Sequence, residues 1–393
     1  MSMTRPLKVL HSHPCWLPRT QTWMYHLIRS TNQEVESGVS CYFRRFRDEF
    51  PLENMHCLKE DQPFRFQWNR LAHKLRLPIK FNRLEPHLKL FNPDIVHSHF
   101  GNVGALDQAC VENSSAKHLV TFYGYDVSKA PRRNPWLYDA YKKMFRTVDM
   151  VLCEGSSMAA KVNKLGCPKH LIKVQHLGVD LGRQFLFRPR KWKSQEKLRI
   201  LIACSFREKK GVPYAIEAIG RLARDIDLEV TIVGDASEEP SSIEEKNKIV
   251  GAINEWNLKD KVSLLGFQPH KEMIRQAYEH HLFVSTSVTA VDGDCEGGAP
   301  VSLTEMAATG MPIVSSVHCD IPEVIIDGET GWLAVERNVD SIEEKLRDCL
   351  SNHNQWPEIL ASGREHVEKE YNLSIQGQRL AELYRSVVSR GPQ

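Results

Sequence analysis

Residues 292–316 read DGDCEGGAPVSLTEMAATGMPIVSS, with two glutamates, Glu296 and Glu305, bracketing a run of small residues. At roughly 100° per residue, the nine steps from 296 to 305 would leave two helical side chains on opposite faces. One continuous helix therefore cannot aim both carboxylates at one ligand. A loop must carry Glu296, and a helix starting near Pro300 must carry Glu305, because proline suits a first helical position where its missing N–H costs nothing. With LFVST (282–286) before it and PIVSS (312–316) inside it, the segment reads strand, glycine loop, helix N-terminus, strand. That order belongs to a parallel sheet, and a helix start of this kind suits an anion.

Working outward, the same alternation continues. LRILIAC (198–204) leads into 211–225, where Val212, Ala215, Ile216, Ile219, Leu222 and Ala223 mark one helix face. LEVTIV (228–233) and KVSLL (261–265) read as further strands, with helices near 241–256 and 270–280. In the first half, LKVLH (7–11), GVSCYF (38–43), DIVHS (94–98), HLVTF (118–122), DMVLC (149–153) and HLIKVQH (170–176) read as strands. Helical patterns at 19–30, 104–113, 135–146 and 156–166 separate them. Two such sets imply an α/β protein of two Rossmann-like, doubly wound parallel sheets with a ligand cleft between them. The expected boundaries are a first domain over 1–187, a polar, basic linker over 188–196 and a second domain over 197–372. The tail, 373–393, carries a helix over 374–390 with Ile375, Leu380, Leu383, Tyr384 and Val387 apolar.

Length and composition agree with that division. At 393 residues, two domains are the ordinary expectation. A hydrophobic content of 41% and a charged content of 26% are those of a soluble globular chain. A net charge of +3 is too small to argue for a nucleic-acid partner. The ten cysteines include no C-x-x-C pair, which disfavours a zinc site or a disulfide framework and points to a reducing compartment. The N-terminal residues lack the apolar core of a secretory signal, and no run of about 18 apolar residues occurs. A cytoplasmic protein is the expectation.

Four segments carry candidate chemistry. In the first, an isolated glutamate pair would read as a loop cap and a surface ion pair. Set between apolar strands, it reads as a site: Gly297, Gly298, Ala299, Pro300, Val301 and Ser302 form a loop whose N–H groups suit a diphosphate. Glu305, one turn further on, could accept hydrogen bonds from a vicinal diol such as ribose, and Glu296 from a second sugar. The second segment, CSFREKKGVPYAIEA (204–218), puts Arg207, Lys209 and Lys210 at a neighbouring strand-to-helix turn. Cations there would neutralise a diphosphate as it leaves, or would form an ordinary solvated turn. The third comprises HSHFGNVGA (97–105) and TFYGYDVS (121–128), which bring His97, His99, Tyr123 and Asp126 to strand ends. A metal reading of His-x-His lacks further ligands at suitable spacing, so sugar recognition or strand-end packing is preferred and no metal is assigned. The fourth, PFRFQWNRLAHKLRLPIKFNR (63–83), mixes Arg65, Arg70, Lys74, Arg76, Lys80 and Arg83 with Phe64, Phe66, Trp68, Leu71, Leu75 and Phe81. It fits either an anionic membrane surface or a helix packed by its apolar stripe.

Together these motifs resemble those of retaining glycosyltransferases of family four, with the two-Rossmann GT-B fold. The nearest likeness is to bacterial exopolysaccharide enzymes of the colanic acid and amylovoran type. It runs from TWMYHLI (22–28) through LGCPKHLIKVQHLGVD (165–180), LLGFQPHKEM and the 292–316 stretch to IPEVIIDGETGWLAVERN (321–338). The resemblance implies a UDP- or GDP-sugar donor as substrate, a glycan or lipid-linked acceptor, retention at the anomeric carbon, and neither a metal nor another cofactor. With the basic stretch 63–83, a lipid-linked acceptor makes peripheral contact with the inner face of the membrane one expected setting. By position, Glu305 would bind the donor ribose, Lys210 the diphosphate, and Glu296 would act beside the transferred sugar, with Arg207 and the 297–302 loop assisting. His99 and Tyr123 would touch the acceptor or sugar, and Asp126 is a candidate catalytic residue. Eight residues separate Glu296 from Glu305 where the family has seven; Ser205 stands where an arginine is common, and Tyr123 where many members have histidine. These departures motivate a second reading, a nucleotide-sugar-binding scaffold with weakened catalysis. A third is a GT-B nucleotide-sugar epimerase.

Overall fold

A computed structural model describes all residues except 1–4, 19–20, 32–33, 47, 76–81, 183–184 and 390–393. The chain divides into two units, Met1–Gly178 with Leu373–Gln393, and Val179–Asn372.

The first unit is built on strands Leu7–Ser12 (β1), Val35–Cys41 (β2), Asn54–Cys57 (β3), Ile95–His99 (β4), Lys117–Phe122 (β5), Met150–Cys153 (β6) and Ile172–Val174 (β7). All pair in parallel, in the order β3-β2-β1-β4-β5-β6-β7. Successive residues face opposite sides of a strand, and here both sides are buried. Val9 packs among Leu27, Leu380 and Tyr384, while Leu10 packs among Leu84, Phe91 and Val111. A sheet covered on both faces explains why its strands read as apolar runs rather than as an alternation. The tail helix, Leu373–Ser389, belongs to this unit and buries Leu380, Ala381, Tyr384 and Val387. It lies close to the helix Thr22–Ser30, since a Cβ on Gly377 would sit 2.3 Å from Ser30 Oγ.

The second unit repeats the plan with Leu198–Ala203 (β8), Leu228–Val233 (β9), Val262–Leu264 (β10), Leu282–Ser285 (β11), Ile313–Ser316 (β12) and Trp332–Ala334 (β13). The order is β10-β9-β8-β11-β12-β13, again parallel throughout. Each unit therefore runs 3-2-1-4-5-6 in its own sequence, with a seventh strand added at the end of the first, so strand order reverses beside β1 in one and beside β8 in the other. In doubly wound sheets ligands bind outside the carboxyl ends of the strands at that reversal.

The expected linker over 188–196 is instead part of the second unit. Arg190 is buried, and its guanidinium donates to the carbonyls of Ala277 (2.7 Å), Thr309 (3.0 Å) and His280 (3.2 Å). Those carbonyls lie at the C-terminal ends of the helices His270–Glu279 and Val301–Thr309, where the last C=O groups lack intrahelical partners. Trp192, two residues on, is also buried, with its indole N–H on Glu196 O at 2.9 Å. Arg83, counted above with the basic surface helix, is likewise buried, beside Asp107 at 3.4 Å. That helix spans Pro63–Lys74, and Arg76, Lys80 and Phe81 lie outside the described residues.

Candidate active site

In the second unit β8 ends at Ala203 and the chain turns through Glu208–Lys210 into the helix Val212–Leu222. Gly211 sits between them at φ 62°, and a Cβ there would lie 2.0 Å from the carbonyl oxygen of Thr286. Only glycine tolerates both the left-handed backbone and so close an approach. Thr286 Oγ1 donates back to Gly211 O at 3.0 Å, and the Val288 N–H donates to Lys209 O at 2.8 Å. The turn after β8 is thereby stitched to the loop after β11, which places Lys209 and Lys210 beside Glu296.

Lys210 Nζ lies 2.8 Å from Glu296 Oε1 and 3.0 Å from Oε2. Ser287 Oγ donates to Oε1 at 2.8 Å, and Lys209 Nζ stands 3.9 Å from Oε2. Burial alone would raise the Glu296 carboxyl, but the two ammonium groups and these hydrogen bonds hold it down at about 2. Lys209 is pulled toward the neutral form by burial, yet Glu296 and Asp294, the latter at 3.4 Å, keep it above its ordinary value. Two cations and two carboxylates thus meet at the strand-order reversal. Arg207, expected to join them, has an exposed side chain with no hydrogen bond or ion pair among the described residues.

The helix carrying Glu305 spans Val301–Thr309, so Pro300 is its cap (φ −55°, ψ 127°) rather than its first residue as expected. No side chain caps it. Among the described residues, the N–H groups of Gly297, Gly298, Ala299, Val301 and Ser302 donate to no protein acceptor. Five donors and the positive end of a helix dipole therefore follow Glu296, the partner of Lys210, within six residues of chain. Glu305 Oε1 is 2.9 Å from His270 Nε2, and that hydrogen bond raises the His270 imidazole against the opposing effect of burial. Sequence reasoning quoted GFQPHKEM without singling out His270; a histidine opening a helix at a strand end was the available signal. His318 was also missed. Its Nε2 accepts the Glu296 N–H at 3.3 Å, and its Nδ1 meets Glu336 Oε2 at 2.9 Å.

The first unit holds its candidates differently. His99 is buried, with Nδ1 2.7 Å from the Tyr123 hydroxyl and Nε2 3.1 Å from His11 Nδ1. His97 is bonded to the Tyr384 hydroxyl at 2.7 Å and to Thr121 Oγ1 at 2.6 Å. Burial pushes His11 down to about 3, and His97 and His99 well below the ordinary histidine value. One nitrogen from each of the three comes within 4.8 Å of the others, one of two groupings in this unit, with His56, Asp61 and His87, whose spacing among the described residues a metal could use, but His97 and His99 already spend both nitrogens on neighbours. Asp126 is fully buried and accepts the N–H groups of Gly101 (2.6 Å) and Tyr123 (3.0 Å). Burial lifts it to about 6 despite those bonds. This is the geometry of a clamp between two strand-end loops, not of a carboxylate presented to substrate.

Comparison with known proteins matches this architecture. Residues 22–183 fit the model of glycosyltransferase family 4, and residues 184–365 that of the group 1 glycosyl transferases. The amylovoran biosynthesis glycosyltransferase AmsK of Erwinia amylovora is 33% identical over 298 residues, 75% of this chain and 70% of its own length. The chain belongs to the family 4 glycosyltransferases. WcaL of Escherichia coli K12, named for colanic acid biosynthesis, is 30% identical over 76% of this glycosyltransferase and 71% of its own length. Among solved structures, Anabaena HepE in complex with UDP and glucose superposes with a TM-score of 0.74 at 14% identity, covering 97% of this chain and 100% of that one. A glycosyltransferase from Rickettsia africae reaches 0.77 at 16% identity, covering 99% and 100%. The fold of this glycosyltransferase is GT-B. Among the described residues, no helix is long and apolar enough to cross a membrane.

Proposed function

We propose that this glycosyltransferase moves a sugar from a UDP- or GDP-sugar to a glycan or lipid-linked acceptor in exopolysaccharide synthesis, with retention and without a metal. The observation that carries the reading is the Lys210–Glu296 pair at the strand-order reversal of the second unit, followed directly in the chain by five backbone N–H groups that meet no acceptor among the described residues. The N–H groups and Lys210 receive the donor diphosphate, and Glu305, held by His270, accepts the ribose hydroxyls. Glu296 turns to the transferred sugar. The anomeric carbon–oxygen bond to phosphate breaks as the acceptor oxygen bonds on the same face, and the acceptor proton passes to the departing phosphate oxygen. The protein positions the partners and stabilises the leaving group. Lysines and a helix start supply the positive charge that a divalent ion would otherwise bring. The names of AmsK and WcaL support the exopolysaccharide setting, and HepE with UDP supports a nucleotide-sugar donor.

A thermal-shift panel of UDP, GDP, ADP and their common sugars tests the donor site. One base should raise the melting temperature by mass action, and Glu305→Ala should abolish the shift. Product NMR should then show a retained anomeric configuration, unchanged by a chelator. Inversion, chelator sensitivity or an unaltered shift in the variant would each overturn the corresponding element. Binding without turnover would move the reading to a scaffold, and acceptor-independent conversion of the donor to an epimerase. On the helix Pro63–Lys74, Phe64 is 80% exposed and Leu71 47%, beside Arg70 and Lys74. That pattern supports a cytoplasmic enzyme resting on an anionic leaflet. Flotation with anionic liposomes tests it, and protein left in the soluble fraction counts against it.

A further inference from the structure

His318 stands between three groups at the edge of the glycine loop. A backbone N–H can only donate, so the Glu296 N–H, 3.3 Å from Nε2, identifies that nitrogen as the lone-pair side. Nδ1 then carries the proton and donates it to Glu336 Oε2 at 2.9 Å. Glu336 is fixed in turn by the Thr289 N–H. The same Nε2 lies 3.2 Å from the sulfur of Cys319. Cys319 is partly exposed and holds φ at 48°, a left-handed backbone that non-glycine residues seldom adopt. Thiol, imidazole lone pair and carboxylate therefore follow one another in the order that activates a sulfur nucleophile.

We propose that Cys319 is a modification site, a thiol activated by His318 and Glu336 that reacts with peroxides and alkylating electrophiles and thereby loosens Glu296. With hydrogen peroxide, the sulfur attacks one oxygen, the S–O bond forms and the O–O bond breaks. Hydroxide leaves and is neutralised by the thiol proton that His318 took up, giving a sulfenic acid and water. The coupling to Glu296 is steric: Nε2 regains its lone pair once the proton has left with the hydroxide, but a bulkier group on the sulfur 3.2 Å away displaces the ring from the Glu296 N–H. This second half rests on Glu296 acting at the donor site. Other thiols are separable. Burial raises Cys15, Cys110 to about 11 and Cys204 to about 12. Cys57 is drawn down to about 7 by its bond to Cys41 but is fully buried.

The test is iodoacetamide labelling of the intact protein at pH 7, followed by peptide mass spectrometry. Cys319 should react at least about ten-fold faster than Cys15, Cys110 and Cys204, and His318→Asn should remove most of that advantage. Glu336→Gln, which keeps the hydrogen bond and removes the charge, should slow it less. After peroxide, dimedone should mark Cys319. Equal rates among the four thiols would overturn the site. Alkylated wild type should lose the nucleotide-induced thermal shift that alkylated Cys319→Ser retains, and a shift surviving at labelled Cys319 would overturn the coupling. If unmodified protein shows no shift with any nucleotide, the donor reading fails, while the labelling rates still decide the thiol.

Discussion

The two units share one strand order and put opposite chemistry at its reversal. Beside β1, three histidines are buried in neutral form, His11 bonded to His99, His99 to Tyr123, and His97 to Tyr384 and Thr121. Beside β8, two lysines are ion-paired with two carboxylates at the mouth of a loop whose N–H groups meet no acceptor among the described residues. In the first unit the charges at the reversal, Arg83 and Asp107, have 3% and 0% of their side chains exposed and bond to Ser12 and Ser98 on the sheet face opposite the histidines. A shared topology therefore supplies a place, and the residues at the two strand ends decide whether that place is core or site.

The largest effect that should separate the units is acid. A histidine buried neutral has a folded value below its unfolded value of about 6.5, so the unfolded chain takes the proton first. Its stability is complete above pH 6.5 and falls toward the folded value, about 3 for His11 and about 4 for His118. The loss is about 1.4 kcal/mol per histidine per pH unit. Glu296 is depressed instead, so its contribution persists until pH falls below about 4.5 and vanishes toward about 2. His270 is raised, so its contribution is present at low pH and is lost as pH rises through its folded value. His281, between β8 and β11, is also held down, to about 4, so hydrogen exchange at pH 5 should show β4 and the tail helix losing more protection than β8 and β11. The reverse order would break the comparison.

Next in size, Lys210→Ala should lower kcat/KM by about 10²–10³ and lower the melting temperature as well, because it leaves the Glu296 carboxylate buried without its closest cation. Arg190→Ala should cost about 2–3 kcal/mol in chemical denaturation, with kcat/KM nearly unchanged, since it strips the partners from helix-end carbonyls. The smallest change is Tyr384→Phe. It removes one hydroxyl from His97 and should cost about 1–2 kcal/mol, read as weaker protection of β4 at pH 7.

Where the sequence was legible, contacts were local or periodic. The Gly loop, the helix carrying Glu305 and the turn holding Lys210 are each written in a few consecutive residues, and so were most strands. Ser287 and His318 were not, because each reaches Glu296 or its backbone through the tertiary fold, and neither was Glu336, which meets only His318 and the Thr289 N–H there. Composition cannot distinguish a solvated arginine from one that caps two helices, which is why Arg190 read as linker. It cannot distinguish a surface arginine from a buried one either, which is why Arg83 was placed on the surface. Asn54–Cys57 and Trp332–Ala334 were too short to show a period.

The tail helix has a consequence for the order of events during synthesis. The second unit is continuous in sequence, but the first needs residues from both sides of it. A ribosome adding about 5–20 residues per second takes about 10–40 s to pass from Gly178 to Leu373. Throughout that interval His97 lacks the Tyr384 hydroxyl, and the sheet face holding Val9, Ile95 and Leu119 awaits its cover. The first unit is begun first and finished last, so a nascent chain stalled before the tail helix should offer that apolar face to chaperones.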